Sequence, residues 1–291
     1  MEKKKIEQLV DLLNNVASVA APHIKYSDKP LPSLGKISEM IGLVRSVVFP
    51  AYFCDKHIGE CVEKIYAILA DEIANSLCFE AQPDDCSCVG TRSAELATAF
   101  VEELPHIKHL LSTDVEAIFD GDPAAENYGE VILCYPSIRA LLNHRVAHKL
   151  FALGVPILPR VITEMAHSET GIDIHPGARI GEYFAIDHGT GVVIGKTAII
   201  GNHVRIYQGV TLGAKSFTVD ENGKLIDEPR HPILEDRVII YSNTSVLGRV
   251  TIGAGSVIGG NIWLTQNVQP NSKILQQPSK CENNNLQANL T

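Results

Sequence analysis

Large aromatic side chains are scarce in this chain of 291 residues: 8 Phe, 8 Tyr and a single Trp, 6% in all. A broad core filled with rings is therefore not expected. Positive charge is also short, with 25 Lys plus Arg against 34 Asp plus Glu and a formal net charge of −9. Such a balance disfavours sequence-independent binding of nucleic acid. No stretch reaches the roughly 18 apolar residues of a membrane span. The opening MEKKKIEQLVDLL runs from a basic start straight into an amphipathic pattern, with no apolar signal core and no small-residue cleavage site. The cysteines (Cys54, Cys61, Cys78, Cys86, Cys88, Cys134 and Cys281) are odd in number and irregular in spacing. They read as free thiols of a reducing cytoplasm. GxGxxG, P-loop, GxSxG, HxH, HExxH and CxxC patterns are all missing. Cys86-Ser87-Cys88 has no nearby His. No metal site and no dinucleotide fold are expected.

What is present divides the chain. The length suggests about two domains, or one elongated repeat array. Ile6, Leu9, Val10 and Leu13 recur at helical spacing, as do Ile58, Cys61, Val62 and Ile65. Ile138, Leu141, Leu142, Val146 and Leu150 do the same, with Pro136 as a start signal. Residues 1–165 therefore read as an all-α domain that packs or oligomerises. Beyond it the period becomes six. Ile174, Ile180 and Ile186 are followed, after a slip of two, by Ile194, Ile200, Ile206 and Leu212. After a long gap come Leu234, Ile240, Val246, Ile252, Ile258 and Leu264.

Six residues make one short strand and a tight corner, and three such rungs close a triangular coil. The aliphatic side chains then stack inside a narrow prism, with many of the 22 glycines relieving the corners. The expected architecture is α + β: a helical domain, then a parallel β-helix of hexapeptide repeats over 166–270, then a polar tail over 271–291. A sandwich would alternate at period two and would not keep this phase. The gap from Gly213 to Ile233 is too long for a corner and should leave the prism as a loop.

Two acid–histidine pairs, Asp173 with His175 and Asp187 with His188, fall about one coil apart on the same edge. An Asp beside an imidazole fixes its tautomer and stabilises its protonated form, which suits a general base near neutral pH. Spacing alone leaves open which pair acts. No nucleophile accompanies them, since Cys134 and Cys281 flank the repeats. Direct transfer is favoured over a covalent intermediate.

The run GIDIHPGARIG…IDHGTGVVIGKTAIIG, then VTLG and RHPIL, resembles the serine O-acetyltransferase family. Asp122-Pro123-Ala124 and Arg145-Val146-Ala147-His148 are similar to elements ahead of that family's left-handed β-helix. The resemblance spans roughly residues 105–268. It implies acetyl transfer from acetyl-CoA to the L-serine hydroxyl, the first step of cysteine biosynthesis. It further implies His188 as general base and Asp173 as its orienting carboxylate. Asp122 and Asp187 would face the serine ammonium, and Arg230 and His231 would hold its carboxylate. Gly213, Ala214, Ser242 and Ala254 would line a groove for acetyl-CoA between neighbouring chains. Trimers, joined by the helical halves into hexamers, and feedback by cysteine follow from the same resemblance.

The chain departs from the family at three places. The loop before Arg230 is longer, and an Ala-Gly-x-Pro-Ala-Arg element after the last coil is missing. The end is Asn289-Leu290-Thr291 where the family often has Ile, so binding to O-acetylserine sulfhydrylase through the tail is expected to be weak or absent. Other acceptors, such as homoserine or an amino sugar, and a non-catalytic scaffold are the competing readings. The DHGTG and RHP motifs speak against a scaffold.

Overall fold

A computed structural model describes residues 3–20, 30–54, 57–80 and 89–276. Cys86, Cys88, Cys281 and the chain from 277 to its Thr291 end lie outside the described residues. The first half holds α1 (Lys3–Ala20), α2 (Leu34–Val48), α3 (Pro50–Phe53), α4 (Ile58–Glu80), α5 (Val89–Val101), α6 (Leu104–Gly121), α7 (Tyr128–Cys134), α8 (Pro136–Ala152) and α9 (Leu158–Thr170). Among the described residues no helix is long and apolar enough to cross a membrane.

Local chemistry sets the helix ends. Ser33 caps α2 by accepting the Lys36 N–H at 3.4 Å, and Asn127 caps α7 by accepting that of Glu130 at 3.0 Å. Proline sits in the first turn of α6, α8 and α9. Gly171, at φ +70°, closes α9 in the left-handed region, so the helical run continues past position 165 to Thr170. The apolar stripes of α2, α4, α6 and α8 meet in one core that includes Val44, Leu69, Leu111 and Leu142. Ile6, Leu9, Val10 and Leu13 of α1 form the expected one-sided helix but stay exposed.

The second half is a left-handed parallel β-helix of about five coils. Face A stacks β1 (Asp173–Ile174), β4 (Val193–Ile194), β7 (Thr211–Gly213), β10 (Ser245–Leu247) and β13 (Trp263–Leu264). Face B stacks β2 (Arg179–Ile180), β5 (Ile199–Ile200), β8 (Ile233–Leu234) and β11 (Thr251–Ile252). Face C stacks β3 (Ala185–Asp187), β6 (Arg205–Tyr207), β9 (Ile239–Ile240), β12 (Val257–Ile258) and β14 (Lys273–Ile274). The ladder residues predicted from the sixfold period pair with one another: Ile174 with Ile194 and Leu212, Ile180 with Ile200 and Leu234, Ile186 with Ile206 and Ile240. Burying each of these aliphatic side chains contributes about 1.5–3 kcal/mol, so the prism is held mainly by its ladder.

Coil length varies at two places. Thr211 follows Val193 by the regular eighteen residues, whereas Val193 follows Asp173 by twenty and Ser245 follows Thr211 by thirty-four. The first excess lies in the corner 188–192, between faces C and A. The second is the segment 214–232, between faces A and B. It leaves the prism as a hairpin bridged at Val219 and Leu225.

The two halves are bolted together by one buried ion pair. Arg145 of α8 binds Asp114 of α6 through Nη2 at 2.9 Å and Nε at 3.2 Å. The same guanidinium donates to the carbonyls of Ile180 and Gly181, and Asp114 accepts the Phe184 N–H at 3.1 Å. The side chains are 4% and 0% exposed. Burial pushes the Asp114 carboxyl up, and Arg145 pulls against it. Replacing Arg145 by Met leaves that carboxylate buried without its cation, at a cost of about 3–5 kcal/mol. Urea unfolding should show the midpoint falling with the slope unchanged; a midpoint equal to that of the parent would remove the bolt from this account.

Candidate active site

The corner between faces C and A gathers acids around a histidine. Two extra residues make it longer than its counterparts. Two residues before every face-A strand the backbone takes a positive φ: Gly171, Gly191, Gly209, Asn243 and Asn261. His188 (φ +56°) and Gly189 (φ +88°) are additional to that series. His is among the few side chains that tolerate this region. The imidazole is 72% exposed, and its Nε2 lies 3.9 Å from Asp187 Oδ1.

Asp122 reaches the same corner from the end of α6. Arg205 on face C donates to the carbonyls of Ala117 and Gly121, which docks that helix end on the prism. A Cβ at Gly121 would fall 1.5 Å from Arg205 Nη2, so a larger residue there would push the guanidinium aside. Tyr135 Oη donates to Asp122 Oδ2 at 2.5 Å. That bond, helped by the Ala124 N–H, holds the Asp122 carboxyl below its usual range, and it drives the Tyr135 hydroxyl up to about 12.

Asp173 opens face A on the coil below. Gly191 N–H donates to Gly171 O at 2.8 Å, so the two corners stack and Asp173 and His188 share an edge. No hydrogen bond or ion pair joins them within the chain. Asp173 instead lies among Glu164 and His167 of α9, with ligand atoms within 4.8 Å of one another.

The corner between faces A and B is cationic. Arg230 and His231 end the extruded hairpin and are pinned by Thr197, whose Oγ1 accepts their backbone N–H groups at 2.9 and 3.1 Å. His231 Nδ1 accepts the Thr197 N–H at 3.2 Å, which assigns the proton of the neutral ring to Nε2. The ring rests on Gly195, where a Cβ would fall 1.9 Å from its Cδ2. Burial, then Arg230 and Arg249, lower the His231 pKa. His175, two coils below, is lowered to about 4 by burial and by Arg160, Lys196 and its neighbours.

The residues expected to contact acetyl-CoA do not share one groove on this chain. Gly213 and Ala214 stand at the A/B corner and Ser242 at the C/A corner, on either side of face A. Ala254 lies on the third corner, where its N–H donates to Glu235 and its carbonyl accepts the Asn271 N–H.

No family model matches the chain. A plasmid serine acetyltransferase of Synechococcus elongatus is 45% identical to it over 96% of this chain and 92% of its own length. This chain belongs to the serine acetyltransferase family. It is therefore an acyltransferase enzyme. Serine acetyltransferase isoform 3 of Entamoeba histolytica, solved in complex with cysteine, matches with a TM-score of 0.73 at 32% identity, covering 98% of this chain and 97% of its own. Serine acetyltransferase 1 of the same organism, in complex with L-cysteine, matches with a TM-score of 0.72 at 36% identity over 86% and 90%.

Sequence reasoning passed over three residues that hold the candidate site together. Tyr135 was hidden behind Pro136, which reads only as a helix start. Thr197 stands 33 and 34 positions from the groups it pins. Arg249 donates to the Thr197 and His231 carbonyls at 2.7 and 2.9 Å and looks in sequence like an ordinary corner residue. The Gly195 contact is testable directly. Gly195→Ala should lift the His231 ring into solvent and relieve the burial that disfavours its charged form. An NMR titration should then show one imidazole moving upward towards about 6.5. No upward shift would mean that the ring does not rest on Gly195.

Proposed function

We propose that this acyltransferase moves the acetyl group of acetyl-CoA to the hydroxyl of L-serine, with His188 as general base. One arrangement carries the reading: acids and an exposed histidine on one edge of face A, cations on the other. Serine is a zwitterion and needs both. Asp122 and Asp187 face its ammonium. Arg230 and the Nε2–H of His231 take its carboxylate. His188 draws the proton from the serine hydroxyl as that oxygen attacks the thioester carbonyl. The tetrahedral oxyanion then collapses, the C–S bond breaks, and the departing CoA sulfur takes the proton from His188. Asp173 orients the imidazole in the assembled site. The transfer needs no metal, and the enzyme works in the cytoplasm.

The two edges belong to different copies of the chain. A face of six residues is about 20 Å wide, several times the length of serine. In a trimer the C/A edge of one copy meets the A/B edge of the next. Gly213, Ala214 and Ser242 then border the acetyl-CoA groove between copies, and the helical halves pair trimers. The cysteine complexes of the Entamoeba relatives support product feedback at the serine site.

CoA release should depend on L-serine and not on homoserine. His188→Ala should lower kcat by about 10²–10⁴-fold without changing the unfolding midpoint. Mixing inactive His188→Ala and Arg230→Ala chains under refolding conditions should restore part of the activity, because some interfaces then contain both intact edges. Serine-dependent turnover that survives His188→Ala nearly intact would end the base assignment.

A further inference from the structure

The extruded hairpin carries a carboxylate that the proposed reaction does not use. Asp227 sits between two cations. Its Oδ2 accepts from Lys196 Nζ at 2.5 Å, and its Oδ1 lies 3.8 Å from Arg230 Nη1. Among the described residues it is the only carboxylate within ion-pair range of the cations at this corner. The hairpin holds it there: Val219 bridges to Leu225, and Thr218 Oγ1 donates to Glu228.

Arg230 is only loosely engaged. A separation of 3.8 Å is beyond hydrogen-bond range. Its Nε is buried with no hydrogen-bond partner, and its guanidinium carbon stands 5.5 Å over the Phe217 ring. A guanidinium binds a carboxylate best through two parallel N–H···O bonds, and neither bond of that fork is made here. Lys196 draws Asp227 to a short contact while the fork of Arg230 stays open.

We propose that Asp227 is a displaceable stand-in for the substrate carboxylate, shared between Lys196 and Arg230 while the site is empty and left on Lys196 alone when substrate takes Arg230. The proposal rests on Arg230 being the carboxylate anchor. A weak, single-point internal anion yields to a carboxylate that can engage both arms of the fork. It opposes ligands whose negative charge cannot. Lys196 sets the balance, because removing it leaves Arg230 with no competing cation for Asp227.

Four variants test this in steady-state assays of L-serine and acetyl-CoA on the full chain. Asp227→Asn should lower the serine KM about two- to fivefold, the scale of an exposed ion pair, with kcat and the acetyl-CoA KM moving less. Lys196→Met should raise the serine KM, and adding Asp227→Asn should abolish that rise, giving a non-additive cycle. Arg230→Lys reports on the anchor itself. If Arg230→Lys raises the serine KM while Asp227→Asn leaves it unchanged or raises it, the stand-in is overturned and the anchor stands. If Arg230→Lys leaves the serine KM unmoved, the anchor reading falls first. If Asp227→Asn alters the acetyl-CoA KM alone, the displaced group is a CoA phosphate and the proposal is overturned.

Discussion

Closure of a triangular coil in eighteen residues constrains everything else in the second half. Each coil must deliver one inward aliphatic per face, and its neighbour must deliver the next in register, because a coil out of phase would put polar side chains into a prism with no room for water. Deviation is therefore tolerated only at corners, where extra residues leave the stack without disturbing it. Both long corners carry candidate site residues. Two additional residues put His188 into a left-handed conformation and turn its ring outward. The sixteen-residue excess between faces A and B makes the hairpin that ends in Arg230 and His231. The regular coils supply rigidity, and the irregular ones supply reach.

The helical half brings Asp122 to the site through one turn of backbone. Asp122 follows directly on Gly121, and Gly121 is held by Arg205 at the C face while Asp114, two turns earlier on the same helix, is held by Arg145. α6 is thus fixed to the prism at both points. Neither contact is a surface ion pair of small value. The Arg145–Asp114 pair is desolvated and uses backbone groups of Ile180, Gly181 and Phe184 as additional partners. Its geometry is therefore specified by the β-helix as much as by the helices. A side chain positioned in this way keeps its place relative to His188 without any direct bond between them.

The ladder was legible because every coil repeats the same requirement, so thirteen positions report one pattern. The slip at DHGTG and the long gap were legible as breaks in that pattern. Contacts made through space between coils were not. Thr197 pins Arg230 and His231 from another coil, and Asp227 engages Lys196 across 31 positions. A period has no memory of which corners face the same solvent. The proposed acetyl-CoA residues illustrate this. Each was matched as a small residue near a corner, and their corners differ: Gly213 and Ala214 stand between faces A and B, Ser242 between C and A, and Ala254 between B and C. The extension of α9 to Thr170 was hidden because its final turn, His167 to Thr170, is polar and carries no apolar period.

Net charge and local charge point in opposite directions in this molecule, and on the proposed reading the reaction uses that contrast. The chain carries −9 overall, and an anionic cofactor meets it without help from the long-range field, which is screened within about 10 Å at ordinary ionic strength. What remains is short-range and directional: a guanidinium fork, a lysine, and two imidazoles kept neutral by burial on one edge. On the other edge, two carboxylates flank an exposed histidine. Neutral imidazoles at the cationic edge can donate hydrogen bonds without adding charge, so the carboxylate of the acceptor is oriented there by geometry more than by total charge. The acidic edge in turn favours an ammonium and repels a second carboxylate. An acceptor with charge at only one end satisfies one edge and leaves the other unmatched. Discrimination of that kind comes from unpaired groups, and it exceeds what the size of a pocket alone can supply.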